Sequence, residues 1–134
     1  MSVGVALLAH QNLDRAAELV QALHAAGCKM AIHVDAKTSS PEFETFFKAV
    51  SSLENVVFAP RIHCEWGRFS LVEAQLGAAE HLLKNFQDVS HVLQISGSCL
   101  PNRPLAELTA FLARNKDVDF IESVQVGGKN WIKG

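Results

Sequence analysis

The chain has 134 residues, 49% of them apolar, with 12 basic against 14 acidic side chains and a formal charge of -2. That length and composition fit one folded domain with its own core. They exclude a disordered chain and leave no basic block for a nucleic-acid face.

The stretch MSVGVALLAHQNLDRA opens with a short apolar run. It has no basic n-region and no small-residue cleavage site. No stretch has the length of a transmembrane segment. The three cysteines, Cys28, Cys64 and Cys99, form no C-x-x-C pair. A disulfide framework is therefore not expected, and a reducing, cytoplasmic setting fits best.

Residues 3–9 read as a buried strand. Asp14 precedes helical spacing in Ala16, Ala17, Leu19, Val20 and Leu23, and Gly27 supplies the stop. Residues 29–34 form a second strand, closed by Asp35 and the polar Lys37-Thr38-Ser39-Ser40. Pro41 opens a helix with Phe43, Phe46, Phe47 and Val50 on its inner side. Residues 55–59 are a third strand, ended by Pro60. The irregular 61–69 stretch leads to Ser70, which with Glu73 reads as a capping box. The helix over 71–86 has Leu71, Ala74, Leu76, Ala78, Ala79, Leu82, Leu83 and Phe86 as candidates for its buried side. Residues 91–96 are a fourth strand, expected to be central, followed by a helix over 104–114 and a fifth strand over 119–124. Trp131 and Ile132, in the closing stretch, have no element of their own to pack on. The alternation predicts an α/β, Rossmann-like domain with a mainly parallel five-stranded sheet flanked by helices.

Ligands of open α/β sheets sit beyond the carboxyl ends of the strands. That rule selects His10, Asp35, the 61–69 loop, the junction Ser96-Gly97-Ser98-Cys99-Leu100-Pro101, and Glu122-Ser123. In the junction, Gly97 allows close backbone approach, the serines offer hydroxyls, and amides opening the next helix suit an anion. Each residue also has a plainer reading. Asp35 fits a turn cap, His10 a helix-entry residue, and Trp66 a core or lid packer. Ser96 and Ser98 fit bonds to local backbone, and Cys99 a small buried hydrophobe. His33 and Asp35 have no third ligand close in sequence, which argues against a metal site. Neither a phosphate loop nor G-x-G-x-x-G follows a strand, and no Asp-x-Asp pair, the usual metal-diphosphate clamp of sugar-nucleotide enzymes, is expected. Acidic residues do not cluster after the first strand either, which argues against a response-regulator-type fold.

Five segments occur in order: LLAHQNLDRAAELVQAL, MAIHVDAKT, WGRFSLVEAQLGAAEHLL, HVLQISGSCLPNRPLAEL and DFIES. Together, over residues 4–123, they resemble the core-2/I-branching β-1,6-N-acetylglucosaminyltransferase family, which includes the peptide O-xylosyltransferases. The resemblance implies the donor-binding, N-terminal part of a GT-A-like, inverting transferase over 1–134. It implies a UDP-sugar as substrate, N-acetylglucosamine or xylose as the moved group, no cofactor, no metal, and a carbohydrate or glycoconjugate acceptor. Ala9, His10 and Asp35 would meet the nucleoside. Trp66, Gly67, Ser96, Gly97, Ser98, Cys99 and Glu122 would border the donor-sugar and acceptor cleft. Many members have Gly-x-Asp-aromatic-Pro where this chain has Ser-x-Ser-Cys-x-Pro, a form closer to the plant-type branch. The family's catalytic glutamate and diphosphate-neutralising cations fall beyond Gly134, so the catalytic residues are expected there and the chain is expected to be part of a longer enzyme. A catalytically inactive sugar-nucleotide-binding module is the alternative. Animal members are Golgi membrane proteins; this sequence shows no such anchor.

Overall fold

The computed structural model describes residues 2–123. The elements, in chain order, are β1 (Ser2–Ala9), α1 (Leu13–Ala25), β2 (Lys29–Val34), α2 (Ser40–Val50), β3 (Val56–Phe58), α3 (Phe69–Asn85), β4 (Val89–Ser96) and α4 (Leu105–Arg114). Every strand pair is parallel, in the order β3-β2-β1-β4. The fold is α/β and Rossmann-like, as the alternation predicts.

Two expectations about the sheet are corrected. Residues 119–123 form no strand, and Val124, Trp131 and Ile132 lie outside the described residues. Among those described, the sheet has four strands instead of five. β4 therefore stands at its edge, not its centre. Phe120 shows the physical reason. Its ring sits 5.3 Å from Phe111 and 6.3 Å from His91, so its segment is held by aromatic packing and joins no ladder. No helix among the described residues is long and apolar enough to cross a membrane.

The two faces of the sheet differ in side-chain size, because a strand alternates faces with period two. Val5, Leu7, Met30, Ile32 and Val34 join Leu19, Val20 and Leu23 of α1 and Phe46 and Val50 of α2 in the main core. Leu112 of α4 belongs to the same cluster. The opposite face is built from small residues. Ala6 and Ala59 pack with Ala78 of α3, and Leu8, Ala79 and Val92 lie against them. A methyl group added at Gly4 would lie 2.6 Å from Leu82. Small residues thus let α3 lie close to the sheet.

That choice of face corrects the reading of α3. Its buried residues are Ala74, Ala78 and Leu82, in a row at i, i+4 and i+8, whereas Leu76 and Leu83 are exposed. The helix also starts earlier, at Phe69 after Arg68, with no side-chain cap. Ser70 is already in the first turn, and its hydroxyl accepts the Glu65 amide at 2.9 Å. The capping box with Glu73 does not form.

Because α3 rests on alanines, overpacking should be costly there. Ala78→Leu is expected to lower stability by roughly 1–3 kcal/mol, read as a lower urea midpoint. Ala79→Leu, a half-buried neighbour, should cost less.

Candidate functional site

Parallel register places His33, Leu8 and Ser96 in one row near the carboxyl end of the sheet. Their side chains share the face that α3 covers. Gln94 lies one step back in the same column as Ser96, paired with Ala6. Beyond this row the chain leaves the sheet, and a cleft of about 430 Å³ opens. Its walls include Ala9, His10, His33, Asp35, Lys37, Cys64, Trp66, Gln75, Gln94, Ser96 and Cys99.

Asp35 is the buried charge of the cleft, 5% exposed. Its Oδ1 accepts the Lys37 amide at 2.9 Å and the Cys64 amide at 3.3 Å. Its Oδ2 faces the Lys37 ammonium at 3.7 Å. Burial pushes this carboxyl up, but the two amides, with Lys37 and His33 beside them, outweigh it and hold it below its ordinary value of 3.8. The turn-cap reading of Asp35 is therefore correct as a description of structure, with Oδ2 turned toward the cleft side chain Lys37.

His33 is equally buried, and its Nε2 accepts the Ile62 amide at 2.8 Å. Burial, with Arg61 nearby, holds the imidazole below its ordinary value of 6.5 against the pull of Asp35. Arg61 completes the arrangement. Its guanidinium donates to the carbonyls of Val34 (3.3 Å), Asp35 (3.0 Å) and Thr38 (3.0 Å) and lies 4.2 Å from the Phe43 ring centre. The loop after β3 is thus pinned to the end of β2 by backbone groups meeting side chains.

The other candidates separate into those the structure gathers and those it does not. Trp66 is 94% exposed at the cleft mouth, which rules out a core role. Gly67, beside it, has φ +75, a left-handed turn that favours glycine. Ser96 Oγ accepts the Ser98 amide at 3.3 Å, as the local-backbone reading has it, and also lies 2.8 Å from Ser98 Oγ and 3.6 Å from Cys99 Sγ, so the Ser98 hydroxyl meets a side chain instead of backbone. Cys99 is exposed, not a buried hydrophobe. Gly97 is buried away from the cleft, where a Cβ would lie 3.1 Å from Ala16 of α1. Its smallness serves helix packing. Ser98, Gly67 and Glu122 are not cleft walls. The amides opening α4 are absent from the cleft as well, since Leu105 borders a separate apolar cavity of about 700 Å³ between α1, β4 and α4.

Gln75 and Gln94 are walls that sequence reasoning missed. The available signal was a polar side chain inside the strand VLQIS and another one turn into α3. Asp117-Val118-Asp119 also needs a correction, because an Asp-x-Asp triplet does occur in the chain. It follows α4, exposed, beside Val118, whose carbonyl lies 3.2 Å from His91 near the amino end of β4. That is the opposite end of the sheet from the cleft. Among the described residues no three His, Cys, Asp or Glu side chains converge on a possible metal position.

Comparison with known proteins follows the same outline. Residues 5–132 match the family model described as Core-2/I-Branching enzyme. A beta-1,3-galactosyl-O-glycosyl-glycoprotein beta-1,6-N-acetylglucosaminyltransferase of bovine herpesvirus 4 is 25% identical over 125 residues, covering 90% of this chain and 28% of that protein. The mouse enzyme of that name numbered 3 is 24% identical over the same shares. The chain thus spans just over a quarter of the length of these curated relatives.

Two outcomes follow from the burial and charge of this site. The folded state resists protonation of both His33 and Asp35, so their contribution to stability is full above the unfolded pKa values and falls as pH drops. The urea midpoint should decline first below the imidazole value of 6.5 and again below the carboxylate value of 3.8. Asp35→Asn should flatten the lower limb and, by removing the carboxylate's pull on His33, steepen the upper one. Burial raises the thiols of Cys28 and Cys64, whereas Cys99 is exposed. A disulfide reagent should therefore titrate Cys99 quickly and the other two only on unfolding, with Cys99→Ser abolishing the fast phase.

Proposed function

Because the chain belongs to the Core-2/I-branching enzyme family, we propose that its cleft is the donor-nucleotide site of an inverting, GT-A-like glycosyltransferase. The reaction moves N-acetylglucosamine or xylose from a UDP-sugar to a hydroxyl of a carbohydrate or glycoconjugate. The observation that carries this reading is convergence. Ala9, His10, Asp35, Trp66, Ser96 and Cys99, from separate strand ends, line one cleft where open α/β sheets take ligands. The relatives' names, which specify β-1,6 transfer of N-acetylglucosamine, favour that sugar.

In this reading Asp35 Oδ2 accepts a hydrogen bond from the base or ribose, while Oδ1 stays committed to the two amides. Ala9 and His10 form the floor beside the nucleoside. The Trp66 indole offers a flat apolar face to a sugar ring, and Gly67 sets the turn that presents it. Ser96 and Cys99 border the far wall, with Ser98 supporting Ser96 and Gly97 seating the junction on α1. Glu122, which does not line the cleft, is assigned to the donor-sugar and acceptor side on the family resemblance alone. Metal-free donor binding is favoured by the donor set, since among the described residues Asp35 is the only carboxylate lining the cleft and its Oδ1 is committed to two amides.

The chemistry of such a transfer is direct displacement. A carboxylate removes the acceptor hydroxyl proton as that oxygen attacks the anomeric carbon, and cations stabilise the departing diphosphate. No described residue is assigned either of these two roles.

Isothermal titration with UDP tests the proposal. Binding is expected, unchanged by EDTA. Asp35→Asn keeps an acceptor for the two amides but gives up the Oδ2 acceptor, and it should weaken UDP roughly tenfold, the worth of a charge-assisted hydrogen bond. Affinity equal to wild type would leave Asp35 a turn cap and nothing more. Binding that requires Mn²⁺ would overturn the metal-free assignment.

A further inference from the structure

We propose that His33 is a positioning residue for the cleft: by holding the Ile62 amide, its acceptor nitrogen sets the 62–66 segment where Trp66 can close over a bound nucleotide. This rests on the nucleotide-site reading and adds a residue and a control that the reading does not contain.

The 62–66 segment is held largely through its backbone. Ile62 N–H donates to His33 Nε2, and Ile62 O accepts the Ala36 amide at 3.1 Å. Cys64 N–H donates to Asp35, and Glu65 N–H to Ser70 Oγ. Trp66 leaves the last of these ties with its side chain almost fully in solvent. The Cys64 thiol also reaches Ile62 O and Ser70 O, and Arg68 N–H donates to Glu65 O; among these ties only that of the Ile62 N–H depends on a group that titrates near neutrality.

The bond fixes the proton on Nδ1, because Nε2 must be free to accept. Adding a second proton turns an acceptor facing an N–H into a donor facing an N–H, inside a site that is 1% exposed. The charged groups acting on the ring are Asp35, at the end of its own strand, and Arg61, on the loop. β1 opposes it with Leu8, and α3 brings the uncharged Leu71 and Gln75 to the same cleft. His10, Lys37 and the Cys64 and Cys99 thiols complete the titratable groups lining it.

Two substitutions separate the parts of this idea. His33→Gln retains an acceptor near the Nε2 position but does not titrate. His33→Leu fills similar volume with no acceptor. UDP affinity and hydrogen exchange of the Ile62 amide are measured for each from about pH 7.5 to 5, a range spanning the ordinary imidazole titration. The ligand's own phosphate titration is common to all, so affinity is read relative to the Gln variant. Wild type and Gln should bind alike at the upper pH, and wild type should lose at least roughly threefold relative to Gln at the lower. The Leu variant should bind roughly tenfold more weakly throughout, with fast exchange at Ile62. A folded Leu variant with wild-type affinity and protection would overturn the proposal, as would a Gln variant that titrates like wild type. If Leu does not fold, the Gln comparison decides alone. If wild type binds no UDP at any pH, the nucleotide reading fails. Exchange at Ile62 then decides His33 by itself: loss of protection at low pH in wild type but not in Gln supports its role, and equal protection in both removes it.

Discussion

A buried carboxylate that accepts two backbone amides organises the cleft at the carboxyl end of the sheet. Asp35 caps the turn after β2 through Lys37 and reaches across to Cys64 in the loop after β3. A carboxylate so placed costs desolvation, and only charge-assisted hydrogen bonds offset that cost. His33 and Arg61 extend the same principle. One accepts an amide, the other donates to three carbonyls. Together they turn an irregular loop into a wall of fixed shape. Among the described side chains no buried nitrogen or oxygen is left without a partner.

The other wall is a packing consequence. α3 approaches the sheet closely because Gly4, Ala6, Ala59, Ala74 and Ala78 leave room. Close approach over the middle of the sheet brings Leu71 and Gln75, nearer the start of the helix, over the carboxyl end of the strands. The cleft is therefore the gap between a helix held near by small residues and a loop held out by polar ones. Larger residues on the opposite face, around Leu7, Leu19, Ile32 and Phe46, carry most of the core and leave the α3 face free for the site.

Much of this was legible from residue pattern. Apolar runs located β1 and β2 to within a residue, since strands buried on both faces read as unbroken hydrophobic stretches. The strand-end rule found Asp35, His10, Trp66 and Ser96 without any structural information. What stayed hidden has physical causes. Periodicity marks two apolar stripes on α3, around Leu76 and around Ala78, and only the small-residue sheet face decides that the second is buried. The 119–124 stretch carries only Phe120, Ile121 and Val124 as apolar residues, and ring packing of Phe120 on Phe111 and His91 competes with pairing. His33 read as a doubtful metal ligand because its real partner, the Ile62 amide, is a backbone group with no sequence signature. Gln75 and Gln94 enter the cleft through register and helix rotation, neither of which a linear pattern states.

Arg61 offers a last consequence. Its three acceptors are all main-chain carbonyls, and the hydrogen bonds that Asp35 and His33 accept come from main-chain amides. Side chains at positions 36, 62 and 63 take no part in those bonds, so they are free to change while the backbone frame persists. A lineage can thus alter the lip of the cleft residue by residue without first dismantling what holds it. Fixing the frame through the backbone gives the site an evolutionary latitude that a network of side chain to side chain contacts would deny it.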